Sequence, residues 1–544
     1  MTTRVSMVAV ALVTLVAGAC SDALSAKNTN NPDVIRVFQQ PASIEQTLGT
    51  GYQQCRNTEK GSDMTAQMAT MSFESYSQLG NFNMGLRGAI PRSPILNNKS
   101  ASQSLNGNFS GWSRQGRLQA NALKQLDALR KANGIGLSSA AADLRARAMG
   151  FFNIGCNLGF LALAFDSAGI IDHIMDSDFV PELSNYDAVM AAAIANLDSA
   201  VAMASTAGSD GSGGFPTVAG WFSGTVLSKD RFLQLVRSYR ARFRAGVART
   251  PAERQAVNWA AVAADAEAGL TADLTVTVGG TSGWSSGVQS STFYQDATWS
   301  QITPFIFGFG DVSGGYDTWL ATGLISRNGD FLFISPDLRY PQGSTEAAQE
   351  AASPDPGGYT TFPYFKNRQG AGSPGDPWGT SRYEHHRLKY IRNNSGTGSY
   401  PEFLKAEVDL LAAEAYLRLN DIPKALAKIN ISRQKAGLPA LTGTSINDVA
   451  PGGASCVPRV PSPPNYTTTS CGNLLEAMKH EKRMELAYNY MGAWFFDARG
   501  WGDLSKDTPL HYPVPIQELD ARLKGYYNLG GGGPGSAALG TYRF

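Results

Sequence analysis

Helical periodicity governs both ends of this chain and fails between them. Apolar residues recur at helix spacing over about Ile44–Asn57, Trp112–Lys131, Ala140–Phe165, Asn185–Ala204, Arg231–Val247 and Trp259–Gly269. They do so again over Glu402–Asn420, Ala425–Ala436 and about Leu474–Phe496. From about Thr271 to Glu402 the chain turns to Gly, Ser, Pro and aromatic residues, with Leu274–Val278 as a short strand among irregular loops and small hairpins. Loops this long inside a compact protein are usually functional. The tail Gly530–Gly535 reads as flexible.

Composition narrows the setting. The 544 residues are 43% hydrophobic and 17% charged, enough apolar material for a large core. Lys and Arg total 46 against 45 Asp and Glu. That balance argues against a broad nucleic-acid surface, which needs excess basic charge. With 58 Gly and 10% aromatics, the chain reads as loop-rich, extracytoplasmic, or both.

The N-terminus supports export. Arg4 supplies a positive start, Ser6 to Val16 is almost unbroken apolar sequence, and Ala17-Gly18-Ala19 gives small residues for cleavage. Cys20 follows, and small-small-Cys after an apolar run resembles the bacterial lipobox, although Ala17 stands where Leu is usual. The reading is a signal peptide over 1–19, a lipidated tether over 20–32 beginning at Cys20, and one body over 33–544. Loss of Arg4 leaves that body formally neutral. Attachment then rests on acyl chains, at about 0.8 kcal/mol per buried CH2, not on a basic patch. Ala148–Phe165 carries no charge but holds Asn153, Asn157 and glycines, so it reads as a buried helix. Gly155 and Gly159 would let neighbouring helices approach closely.

Of the 5 cysteines, Cys456 and Cys471 flank a Pro-rich loop and are a disulfide candidate whose ring would be worth about 3 kcal/mol. Cys55 and Cys156 are either a second pair or buried thiols. No C-x-x-C, Walker A or dinucleotide fingerprint occurs, and no cofactor is expected. His385-His386, and Asp172, Asp176 and Asp178, lack metal-site spacing, so no metal is expected either.

Ala406, Leu410, Ala413 and Leu417 mark one face of a helix. Asn420-Asp421-Ile422-Pro423 makes a capped turn into a second helix through Ala425 and Ile429. This hairpin is similar to one tetratricopeptide unit, without a strict repeat elsewhere. The run from Leu404 to Tyr416, continuing through Arg433 to Ala436-Gly437-Leu438-Pro439, resembles the SusD/RagB family of outer-membrane nutrient-binding lipoproteins. So do Glu481-Lys-Arg-Met-Glu485-Leu486, the stretch Phe496-Asp497-Ala-Arg499-Gly-Trp501-Gly502, and Tyr512-Pro-Val-Pro-Ile-Gln-Glu518. Met491, Trp494 and Gly500 depart from the family's usual Glu, Arg and Arg.

The resemblance implies a mainly α, SusD-like fold: tetratricopeptide-type hairpins carrying a loop-rich portion. Within the body, a helical part to about 270 precedes a loop-rich insert over about 271–401 and a signature part over 402–544. The resemblance also implies a lipid-anchored, cell-surface binding protein without catalysis. Such a protein would capture a glycan, or a peptide, for a SusC-type TonB-dependent transporter. The rivals are a helical-repeat interaction scaffold and a secreted glycosidase or esterase.

The enzyme rival has two footholds. Glu481 and Glu485 share the apolar face of the 474–496 helix, and paired carboxylates serve glycosidases. They read better as architecture, with Arg433 or Arg499 as ion-pair partners. Asp497, Arg499 and Trp501 read as structural signature in the same way. Gly283-Trp284-Ser285-Ser286-Gly287 matches G-x-S-x-G but lacks the flanking strand and helix.

The ligand surface is expected in the insert, where Trp284, Tyr294, Trp299 and Trp319 lie among Gly, Ser and Asp. Exposed aromatic faces suit the C–H faces of sugar rings. The loop around Phe73, Tyr76, Phe82 and Asn83 is the second candidate.

Overall fold

The computed structural model describes residue 38 and residues 40–544, apart from 61, 77–80, 98–102, 177–178, 209–212, 282, 285–300, 369–379 and 491. Cys20, Tyr294, Trp299 and Ser285 therefore lie outside the described residues. The principal helices are α1 (Pro41–Glu59), α2 (Ser62–Met71), α3 (Gln103–Asn133), α4 (Ala140–Ala164), α5 (Tyr186–Thr206), α6 (Lys229–Gly246) and α7 (Trp259–Glu267). After the insert come α8 (Lys405–Arg418), α9 (Ile422–Lys435), α10 (Leu474–Leu486) and α11 (Ala493–Trp501).

Local chemistry sets most of these boundaries. Ser139, Asn185, Ser228, Asn258 and Asn473 each accept a backbone N–H from the first turn of the helix they precede. Pro41 opens α1, where a missing N–H is harmless. Ile44, Leu48, Tyr52 and Cys55 give α1 its buried stripe. By length and apolarity α5 could cross a membrane. Its stripe Val189, Ala193, Leu197, Ala200 and Ala204 is buried, and the helix packs on α4.

α4 is buried nearly throughout and is the axis of the N-terminal half. Its glycines act as expected. A Cβ on Gly155 would come within 2.8 Å of the Leu197 side chain on α5, and one on Gly159 would overlap the Phe243 ring on α6. The approach of three helices thus depends on two missing methyl groups.

The C-terminal hairpin α8–α9 turns at Asn420 (φ 59°) and Asp421, whose carboxylate accepts the Lys424 N–H. Leu410, Ala413 and Leu417 pack with Ile422, Ala425 and Ile429, and with Leu474, Ala477 and Met478 of α10, as a separate small core. One continuous helix over 474–496 is not formed. Tyr488 (φ 56°) and Gly492 (φ 67°) break it into α10 and α11. The reason is tertiary: the Tyr488 N–H donates to the Glu74 carboxyl at 2.6 Å instead of to its own helix.

The insert is closed at its neck by an antiparallel pair, Leu274–Val278 against Gly398–Phe403. Inside are short helices such as Pro304–Phe307 and Gly315–Ala321, and the hairpin Phe365–Asn367 with Tyr383–His385. The Cys456–Cys471 disulfide bridges the start and end of a second hairpin, Arg459–Pro461 with Thr469–Cys471. Cys55 and Cys156 are free and buried. The glycine tail is held in turns. Gly530 donates to Pro534 O and Gly531 to Asp507 O, both at 2.8 Å.

Candidate ligand-binding site

Both described insert tryptophans, Trp284 and Trp319, lie in the core. Trp284 is 3% exposed; its ring packs near Tyr52, with the Arg56 guanidinium over its face at 5.5 Å. Its backbone N–H donates to Thr277 O, extending the neck of the insert. Trp319 is also 3% exposed, stacked on Tyr316, edge-on to Phe305 and covered by Arg327 at 4.4 Å. Neither ring presents a face to a ligand. The expectation that loop aromatics would be displayed misjudged how loops pack. Lacking long helices, the insert builds its interior from rings: Phe307 contacts Phe333, Tyr340, Phe365 and Tyr383. A Cβ on Gly308 would overlap Tyr316, and one on Gly310 would overlap Tyr340. Gly and aromatic residues alternate because rings lie flat on backbone without side chains.

The second candidate loop is placed differently. Gln301, where the described insert resumes after 285–300, pairs with Tyr76 through two backbone hydrogen bonds of 2.8 and 2.9 Å. Gln301 thus sits beside Tyr76, a few positions before Phe82 and Asn83 in the chain. Two regions far apart in sequence meet at one rim. Phe73, stacked on Phe305 at 4.3 Å, forms its floor, and the Tyr76 ring lies against Gly88. Phe82 (φ 53°) and Asn83 (φ 59°) are consecutive left-handed residues, half-buried, leading into the short helix Met84–Gly88, where Leu86 is exposed. Such conformations in non-glycine residues cost about 1–3 kcal/mol each and gather at ligand sites. An aromatic ring beside a carboxamide suits a sugar's C–H face and hydroxyl groups.

Beneath the rim lies Glu74, which the sequence did not single out. It is buried; its carboxyl accepts the Tyr488 N–H and its carbonyl the Tyr488 hydroxyl. Burial pushes its pKa up to about 8, against the lowering effect of the Tyr488 N–H. Nothing local marks it: its environment comes from the α10–α11 turn.

The signature carboxylates are architectural. Glu481 is paired with Arg433 at 3.4 Å, as expected, and with Arg339 at 2.9 Å. Glu485 lies 3.5 Å from Arg339 and 3.7 Å from both Arg387 and Lys435. Burial alone would raise the Glu485 pKa, but the charges of Arg387, Lys435 and Arg339 outweigh it and hold the group below its ordinary value. A carboxylate locked as an anion makes a poor general acid. Arg499 is not a partner of either. It donates to Leu510 O and Gly246 O because it lies on the opposite side of α11. Asp497 pairs with Arg254 at 3.0 Å and Lys482 at 2.9 Å, and Arg254 also holds Glu414 at 2.5 Å. Trp501 donates its indole N–H to Glu414 at 2.9 Å. Gly500, where the family's arginine is absent, lies against Arg254.

Residues 357–528 match the SusD family model. No curated protein matches the sequence. Among solved structures, a SusD homolog from Bacteroides thetaiotaomicron superposes with a TM-score of 0.53 at 13% identity, over 92% of this chain and 99% of that one. A SusD superfamily protein from Bacteroides vulgatus gives 0.51 at 14% identity, over 86% and 89%. A laminarin-binding SusD-like protein gives 0.49 at 15%, over 88% and 97%. The two first likenesses establish the fold over most of the chain, and the family match falls on the segment holding the α8–α9 hairpin, α10 and α11. With the motifs packed into buried ion pairs, residues 357–528 are similar to the SusD family, on a chain that carries the SusD-like fold over most of its length.

Proposed function

We propose that this protein captures a glycan, or a peptide, at the cell surface without catalysis and passes it to a TonB-dependent outer-membrane transporter of the SusC type. The observation that carries this is the family match, on a chain that carries the SusD fold over most of its length. The charge-locked state of Glu485 supports binding over hydrolysis. Capture is assigned to the rim where Tyr76 pairs with Gln301. Phe82 and Asn83 make contacts there, Trp284 and Trp319 support the insert from the core, and Tyr294 and Trp299, outside the described residues, are proposed as further ligand contacts from sequence alone. Anchoring is assigned to a lipidated Cys20 after removal of 1–19, with 20–32 as tether and 33–544 as one body. Cys20→Ser should release the protein from the outer membrane.

The test is a glycan and peptide array probed with the purified chain, followed by affinity and melting measurements on Phe82→Ala and Asn83→Ala. Loss of most of the affinity, with melting close to wild type, is expected. Turnover of a glycan that disappears in Glu485→Gln would overturn the reading. So would binding that neither rim variant weakens.

A further inference from the structure

The deeply buried arginines of this protein fall into two groups. Arg56, Arg242, Arg254, Arg339, Arg433 and Arg483 each hold a carboxylate. Arg249 and Arg499, both 1% exposed, hold none among the described residues. Arg87 and Arg92 also lack one and donate to carbonyl and hydroxyl oxygens; Arg249 likewise donates through Nη2 to Ala162 O and Phe165 O, and Arg499 to Leu510 O and Gly246 O, so the difference lies in the remaining N–H groups. In Arg249 the Nε and Nη1 atoms have no acceptor, and in Arg499 the Nε has none. Burying an unpaired charge costs several kcal/mol, so a fold keeps one only where something offsets it.

Both side chains line a cleft of about 550 Å³. It opens between the start of the short helix Pro251–Ala256, the end of α11 and the tail at 536–543. Thr250, Thr541, Tyr466 and Arg543 also line it, and among the described residues no acidic one does. Arg543 is exposed, its guanidinium over the Tyr466 ring at 5.4 Å. Glu253, a nearby carboxylate, already accepts the Arg249 backbone N–H and the Tyr186 hydroxyl.

We propose that this cleft is an oxyanion site: the guanidiniums of Arg249 and Arg499 take a sulfate or carboxylate group, with Arg543 closing over it from the rim. The ligand class is an oxyanion-bearing sugar, either a sulfate ester or a uronate. Guanidinium forks suit both groups, and charge-assisted bonds to oxyanions are about twice as strong as neutral ones. Burial and then the two arginines hold the neighbouring His511 neutral, its pKa pushed down to about 2. The site is independent of the rim at Phe82 and of the capture reading.

The test uses the purified full chain. Melting is followed against sulfate and, separately, sodium glucuronate, each compared with chloride at equal ionic strength. A saturable rise is expected, of about 3 °C at a hundredfold excess over Kd. Arg543→Ala should weaken the responding anion about tenfold without lowering the anion-free melting point. The anion that binds more tightly identifies the source chemistry. Crystals soaked in selenate should show anomalous density at Arg249 and Arg499, a readout that requires no variant to fold. No saturable rise with either anion, or selenate bound only elsewhere, overturns the proposal.

Discussion

The helical body and the insert use the same residue for the same purpose against different partners. In the body, Gly155 and Gly159 let α5 and α6 close onto α4. In the insert, Gly308 and Gly310 let Tyr316 and Tyr340 lie on bare backbone. Helices supply a continuous apolar stripe, so the body packs stripe on stripe, with aliphatic and small residues set around rings such as Tyr52, Phe152, Phe160 and Tyr239. The insert has no long stripe. It fills its interior with rings, which cover the most area per ordered residue at low side-chain entropy cost. A Gly-rich, aromatic-rich loop region is therefore not by itself a display surface. The rim at Tyr76 and Gln301 differs in carrying two consecutive half-buried residues, Phe82 and Asn83, in left-handed conformations.

The comparison can be broken at its strongest point first. Glu414→Ala in the body strands Arg254 without its bidentate partner and should cost about 3–5 kcal/mol in denaturant unfolding. Trp319→Ala in the insert should cost about as much, about 3–5 kcal/mol, if its ring is core. A Trp319→Ala protein that melts like wild type but loses ligand would restore the display reading.

A pH experiment probes the junction between the regions. Glu74 keeps its proton in the folded state up to about 8, whereas the unfolded chain releases it in the ordinary carboxylate range. The folded state binds more protons across that window. The contribution of Glu74 is therefore complete at the acid end and lost as pH rises toward about 8. Glu74→Gln should flatten this part of the stability–pH profile and raise melting at pH 8 and above relative to wild type. Parallel profiles for the two proteins would show that Glu74 is ionised in the fold.

The smallest effect separates the two uses of glycine. Gly308→Ala pushes a methyl into the Tyr316 ring, and Gly155→Ala pushes one into Leu197. Overpacking costs about 1–3 kcal/mol. The ring, held by its hydroxyl on Phe305 O at 2.5 Å, should yield less than the flexible leucine, so Gly308→Ala should be the more damaging.

Helices with strong stripes and side-chain caps were legible to within a few residues, α4 and α7 most closely, because stripe and cap are local. The turn at Asp421 and the Arg433–Glu481 pair were legible as well. The break at Tyr488 was not, since it answers to Glu74, more than 400 positions away in the chain. Arg339 was invisible as a partner of Glu481 and Glu485 for the same reason: it comes from the insert, outside every signature motif. At the candidate site the loop around Phe82 could be named from sequence. Its meeting with Gln301 could not.

The sequence by itself determined the helical ends, their caps, the irregular middle and the family motifs, all of which depend on residues within a few turns of one another. Tertiary structure alone decided which aromatic rings are buried, where Arg499 donates, and which loops share a rim. Those outcomes turn on desolvation and on contacts between distant segments. A Trp in a glycine-rich loop has the same local signature whether its ring faces water or the core.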